Sequence, residues 1–102
     1  MDRRPQVVVS PITLQEPLGS RVRFLCQVRG RGPFNVVWSR LDGRPLPPSA
    51  NVGVGPSNEL VISRVQYSDA GRYVCTVTNS YGTSRGNAEL IVERKRVLFA
   101  FA

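Results

Sequence analysis

Two cysteines, seven carboxylates and no histidine bound the chemistry open to this 102-residue chain. Without histidine, the commonest general base and the commonest metal ligand are both missing. Two cysteines alone cannot fill the four positions of a structural zinc site. Glu89 and Glu93 share a strand-like stretch, but four residues of strand span about 13 Å, too far for a proton-sharing pair. No nucleophile has a base to activate it. The chain reads as a non-enzyme, with no catalytic residue, no metal site and no cofactor. It also lacks any Asn-x-Ser/Thr, so it offers no acceptor for N-glycosylation.

Cations are abundant. Fourteen Lys and Arg face seven Asp and Glu, a net charge of +7, and thirteen of the fourteen are arginine. One reading is a solvated basic surface that favours solubility. The other is contact with a polyanion such as a nucleic acid or a sulfated glycan. Nucleic acid fits poorly, because no aromatic residues are interleaved with the basic ones as a stacking platform requires. Membrane insertion is not expected either. The longest apolar run, Val97 to Ala102, has six residues where a spanning helix needs about 20. Met1-Asp2-Arg3-Arg4 leads into no apolar stretch, so the chain is expected to carry no secretory signal of its own, which leaves room for a signal removed upstream.

The elements that position these groups are strands. Proline and glycine punctuate the chain from Pro5 to Gly86, the spacing of turns in an all-β sandwich or barrel. Between the turns, apolar and polar residues alternate. Val22, Phe24, Cys26 and Val28 lie on one side; so do Val36 and Trp38, Leu60 and Ile62, Tyr73, Cys75 and Val77, and Ala88, Leu90 and Val92. A period of two with one apolar face predicts sheets covered on one side and wet on the other. Val7 to Leu14 is interrupted by Pro11, which suits an edge strand switching between sheets. Gln66 to Ala70 is the one candidate for a helical turn. The chain divides into one domain, residues 1–93, and a tail, residues 94–102, in which a basic triplet leads into an apolar run. The tail reads as an extraneous end, a linker start or an extension of the last strand.

Cys26 and Cys75 stand 49 residues apart at inward positions, Trp38 follows Cys26 by twelve residues, and Tyr73 precedes Cys75 by two. Asp69-Ala70-Gly71-Arg72-Tyr73-Val74-Cys75 matches D-x-G-x-Y-x-C, Leu60-x-Ile62-x-x-Val65 precedes it, and Asn79-Ser80-Tyr81-Gly82 follows as N-x-x-G. From Val7 to Glu93 the chain resembles the I-set immunoglobulin domains. The stretches Val37 to Pro47 and Val65 to Gly71 are similar to the immunoglobulin-like repeats of perlecan, the basement-membrane heparan sulfate proteoglycan.

The resemblance implies two stacked antiparallel sheets joined by a Cys26–Cys75 disulfide, with Trp38 packed beside it and the Tyr73 hydroxyl turned back to the backbone. Such a bond bridges sheets about 10 Å apart only from inward positions on facing strands. It also implies an oxidising compartment. Leu60, Asp69 and Gly71 complete the structural signature. Asp69 is expected to accept hydrogen bonds in its turn or to pair with an arginine such as Arg64. Asn79 and Gly82 suit a hairpin needing positive φ.

An immunoglobulin sandwich offers surfaces rather than a pocket. Two are singled out. Arg3, Arg4, Arg29, Arg31 and Arg85 are expected to gather at one pole, with Glu59 the only carboxylate nearby, as a site for a sulfated glycan such as heparan sulfate. Arginine's planar fork suits sulfate, carboxylate or phosphate. Val37, Val74, Thr76 and Ile91 are expected on the outward face of the sheet holding the third, sixth and seventh strands, as a protein-contact face. The implied function is a secreted spacer and adhesion module of a larger matrix protein in basement membrane. Its partners would be matrix or cell-surface proteins and neighbouring modules. Two other settings suit the same fold: an intracellular muscle filament, where the cysteines stay reduced, and the ligand-binding domain of a cell-surface receptor.

Overall fold

A computed structural model describes residues 2–53 and 57–94. Lys95, Arg96 and the apolar run 97–102 lie outside the described residues, and so does Met1. Among the described residues eight strands form in chain order: β1 (Gln6–Ser10), β2 (Thr13–Pro17), β3 (Val22–Arg29), β4 (Asn35–Arg40), β5 (Ala50–Val52), β6 (Leu60–Ile62), β7 (Gly71–Asn79) and β8 (Gly82–Glu93). One sheet has the order β1-β3-β6-β5 and the other β2-β8-β7-β4. The chain changes sheet at Pro11, which follows a cis peptide bond. β1 runs antiparallel to β3, whereas β2 runs parallel to β8. Pro11 thus divides the first strand of the alternation pattern into two, because it cannot donate to a ladder.

The alternating apolar residues meet between the sheets. Phe24, Cys26, Leu60, Ile62, Tyr73, Cys75 and Val77 are fully buried. Each large side chain moved there from water stabilises the fold by about 1.5–3 kcal/mol. Cys26 and Cys75 are bonded, with Cα atoms 6.5 Å apart. Trp38 stands directly opposite Cys75 in the β4–β7 register. The Phe24 ring lies 6.3 Å from Trp38 and 6.2 Å from Tyr73, centroid to centroid. The indole N–H donates to the Asn58 carbonyl at 2.7 Å, and the Asn58 amide donates to the Cys26 carbonyl at 3.2 Å. Asn58 adopts φ +44°, a left-handed conformation that asparagine tolerates.

At the start of β7 the Tyr73 hydroxyl donates to the Asp69 carbonyl at 2.6 Å. Residues Tyr67–Asp69 form the short 3-10 turn, and the Asp69 carboxylate accepts from the Gln66 N–H at 2.8 Å. Of the two roles expected of Asp69, the turn-closing one is present. Arg64 is exposed and is not its partner. The arginine in this corner is Arg40, which is 6% exposed. Its guanidinium lies 5.3 Å from the Tyr73 ring centroid and donates to the Ser68 and Ala70 carbonyls at 2.9 and 3.0 Å. It also pairs with Asp42 at 3.0 Å. Asp42 accepts from the Arg44 N–H as well, and this bond, with the Arg44 and Arg40 side chains, lowers its carboxyl to about 2. Gly71 has φ +139°, and a Cβ there would stand 3.2 Å from Arg40 Nη2.

One glycine has a different role from the one its spacing suggests. Gly86 lies within β8, opposite Cys75, and is no turn residue. A Cβ on it would fall 2.5 Å from Val9 Cγ2 and 3.1 Å from Val7 Cγ1. It is glycine because the edge strand β1 crosses close over it.

Gly86→Ala should lower the unfolding free energy by about 1–3 kcal/mol through overpacking. Gly53→Ala, whose added Cβ meets Glu59 at an ordinary 3.6 Å, should change it by about 0.5 kcal/mol or less. Denaturant unfolding of both variants reads this directly. Burial raises the Tyr73 hydroxyl to about 12. The unfolded chain ionises its tyrosines near 10, so the Tyr73 contribution is complete below pH 10 and is lost between about 10 and 12. Tyr73→Phe should be about 1 kcal/mol less stable at neutral pH, yet lose less than the parent chain between pH 10 and 12.

Candidate binding surfaces

Four of the five arginines expected at one pole come together there. Asn79, at the end of β7, is 8% exposed. Its side-chain amide donates to the Arg3 carbonyl at 3.0 Å and to the Arg31 carbonyl at 3.1 Å. Its Oδ1 accepts from the Tyr81 N–H at 2.8 Å. One buried amide therefore fastens the N-terminal arm and the β3–β4 loop to the β7–β8 hairpin. Asn79 does this without positive φ; Gly82 is the hairpin residue that has it, at +144°. A Cβ on Gly82 would fall 2.8 Å from Arg4 Cγ, so the Arg4 stem lies across the hairpin. The Arg3 guanidinium sits 5.6 Å from the Tyr81 ring centroid, a cation–π contact.

These elements border an open groove of about 280 Å³ lined by Asp2, Arg3, Arg4, Gln6, Gly30 and Arg31. Arg29 stands opposite Gln6 in the β1–β3 register and so flanks it. Arg85 does not belong to the pole. It pairs with Thr76 on the outward face of the second sheet. The carboxylate at the pole is not Glu59, which pairs with Arg23 at 3.6 Å. It is Asp2, which grips the Arg4 guanidinium at 2.7 to 3.1 Å. That side-chain bond, with the Arg4 N–H, lowers the Asp2 carboxyl to about 2. Arg3, Arg29 and Arg31 have no ion-pair partner among the described residues. The groove can hold oxyanions by charge-assisted hydrogen bonds and offers no nucleophile.

The outward face of β2-β8-β7-β4 differs from expectation. Its successive rows, read from the registers, are Val37–Thr76–Arg85, then Ser39–Val74–Asn87, then Arg72–Glu89–Thr13, then Ile91–Gln15. Val74 is only 7% exposed, while Val37 and Ile91 are 48% and 40% exposed. Val74 lies on the central strand β7, flanked on both sides by Ser39 and Asn87, so neighbouring side chains close over it. The Arg72–Glu89 row separates Ile91 from Val37. The four residues therefore do not form one patch; Val37 beside half-buried Thr76 is what remains of it.

Strand alternation places Arg40 inward with Val36 and Trp38, a signal that could have found the buried arginine. Nothing in the local sequence marks the double grip of Asn79 or the Asp2–Arg4 pair. Both depend on segments brought together by the fold or on a side-chain rotamer.

The immunoglobulin I-set domain family matches residues 5–92. The mouse basement membrane-specific heparan sulfate proteoglycan core protein is 44% identical over 87 residues, which is 85% of this chain and 2% of that protein. The human peroxidasin homolog is 33% identical over 90 residues, 88% of this chain and 6% of that protein. The chain thus spans a small fraction of the relatives it matches. An I-band fragment of titin, I67–I69, superposes with a TM-score of 0.79 at 26% identity, covering 89% of this chain and 33% of that one. Modules of this kind therefore occur in matrix and cell-surface proteins and also in muscle proteins. With its paired sheets, bridging disulfide and tyrosine corner, the chain belongs to the immunoglobulin I-set family.

Proposed function

We propose that this chain is an extracellular, non-catalytic module of a larger matrix or adhesion protein, serving as a spacer and a protein-contact unit. The observation that carries the reading is the Cys26–Cys75 bond closed in the core, with no free cysteine among the described residues. A buried disulfide of this kind is made and kept in oxidising compartments. The 44% identity with a basement-membrane proteoglycan core protein supports basement membrane as the setting. A second reading, an elastic module of an intracellular filament, draws on the likeness to titin.

Denaturing thiol titration of protein isolated from its native source separates the two. No reactive thiol is the expected result; two per chain overturns the extracellular reading in favour of the filament. The contact face is the row of Val37 and Thr76. Val37→Glu should leave thermal stability within about 0.5 kcal/mol of the parent while weakening capture by immobilised basement-membrane proteins; unchanged capture removes this face. Val74→Glu, which puts a carboxylate in place of a nearly buried apolar side chain on the central strand, should lower the unfolding free energy by about 1–3 kcal/mol in denaturant unfolding.

A further inference from the structure

We propose that the basic groove at the N-terminal pole is a binding site for a sulfated glycan chain, and that Asp2 competes with the ligand for it. The inference rests on the extracellular reading above. Three arginines, Arg3, Arg29 and Arg31, border or flank the groove without an ion-pair partner among the described residues. A fourth, Arg4, is held by Asp2. The groove is lined by Asp2, Arg3, Arg4, Gln6, Gly30 and Arg31, none of which offers an apolar side chain. A peptide partner gains most of its affinity from apolar and aromatic anchors seated in pockets; here the only apolar surface is the stems of arginines whose guanidinium heads favour an oxyanion. A sulfated glycan presents only oxyanions and hydroxyls, which guanidinium forks and the Gln6 amide recognise. The aromatic ring at this pole, Tyr81, already carries Arg3. One ring does not make the run of stacking platforms that successive bases require.

The groove is also preorganised. The Asn79 amide holds the backbone carbonyls of Arg3 and Arg31 at 3.0 and 3.1 Å, which fixes the two cation-bearing segments relative to each other. Little backbone ordering remains to be paid on binding. The Asp2 carboxylate, meeting Arg4 Nε at 3.0 and 3.1 Å and Nη2 at 2.7 Å, marks where an oxyanion sits at this pole. A ligand sulfate that takes this place must displace it. The site is thus restrained by its own N-terminal arm, and removal of the Asp2 charge releases a fourth arginine.

The test is the affinity of the folded, oxidised chain for heparin at several salt concentrations. Arg29→Ala/Arg31→Ala leaves the Asn79 grip intact, because that grip is to backbone. It should weaken binding about tenfold at physiological salt and flatten the salt dependence. Arg64→Ala/Arg72→Ala removes the same charge elsewhere and should change affinity about twofold or less. Asp2→Asn should tighten binding about threefold. Unfolding midpoints of all variants confirm that each is folded. Equal losses in the two double variants would show diffuse charge attraction and overturn the site. Asp2→Asn binding no tighter than the parent overturns the competition, and single-stranded DNA binding as tightly as heparin overturns the glycan assignment. Because binding is read on the purified oxidised chain, its failure leaves the extracellular reading, tested by thiol state, untouched.

Discussion

The bond between Cys26 and Cys75 joins a strand of one sheet to a strand of the other at the middle of the core. Closing a loop of 49 residues stabilises the fold by about 4 kcal/mol in the chain-entropy account. That is a large part of the roughly 5–15 kcal/mol available to a domain of this size. The bond also sets position. Arg29 ends β3 three residues beyond Cys26, and Asn79 ends β7 four residues beyond Cys75. With about 3.3 Å per residue, both strand ends emerge some 10–13 Å from the bridge at the same pole. The Asn79 amide can therefore reach the Arg31 carbonyl, and the basic groove inherits its geometry from the core.

The opposite pole is closed by a different device. Arg40 and Tyr73 are partners in the β4–β7 register, two residues from Trp38 and Cys75 respectively. Burying a guanidinium is costly unless its donors are met. Here the Ser68 and Ala70 carbonyls and the Asp42 carboxylate meet them, while the Tyr73 ring covers its face. The same tyrosine donates to the Asp69 carbonyl, so two side chains tie the 3-10 turn, the start of β7 and the end of β4 together. No buried polar side-chain atom among the described residues lacks a partner. The buried polar groups at both ends of the sandwich are saturated, which leaves its surface, and not its interior, to meet ligands.

What was legible in the sequence was whatever depends on local period and on fixed spacing. The two-residue alternation located the inward faces, because every sheet here buries one side only. The placement of Cys26, Trp38, Tyr73 and Cys75 located the core, because a bridge between sheets restricts which positions can meet. The surfaces were less legible. Nearness to a hairpin points Arg85 at the pole, but the β8 register turns it onto the outward face of the second sheet. Alternation makes Val74 point outward; on a central strand, pointing outward is not the same as being wet. Residue type alone suggests a turn at Gly86, though its reason lies with Val7 and Val9, nearly eighty residues earlier in the chain. Such contacts come from how sheets lie on each other, which periodicity does not encode.

Charge distribution follows from the same saturation. Asp42 is committed to Arg40 and Arg44, Glu59 to Arg23, and Asp69 to the turn before β7. Asp42 and Glu59 answer arginines at the β4 end and on the side of the sandwich, while Asp69 answers a backbone N–H. At the N-terminal pole only Asp2 is present, and it neutralises one arginine of four. A net charge of +7 alone would say little beyond solubility. Its concentration at one end, on segments held by the Asn79 amide and with Asp42, Glu59 and Asp69 engaged elsewhere, gives the excess a direction. The excess of cations at this end is what the frame set by the Cys26–Cys75 bond and the Asn79 amide presents to solvent.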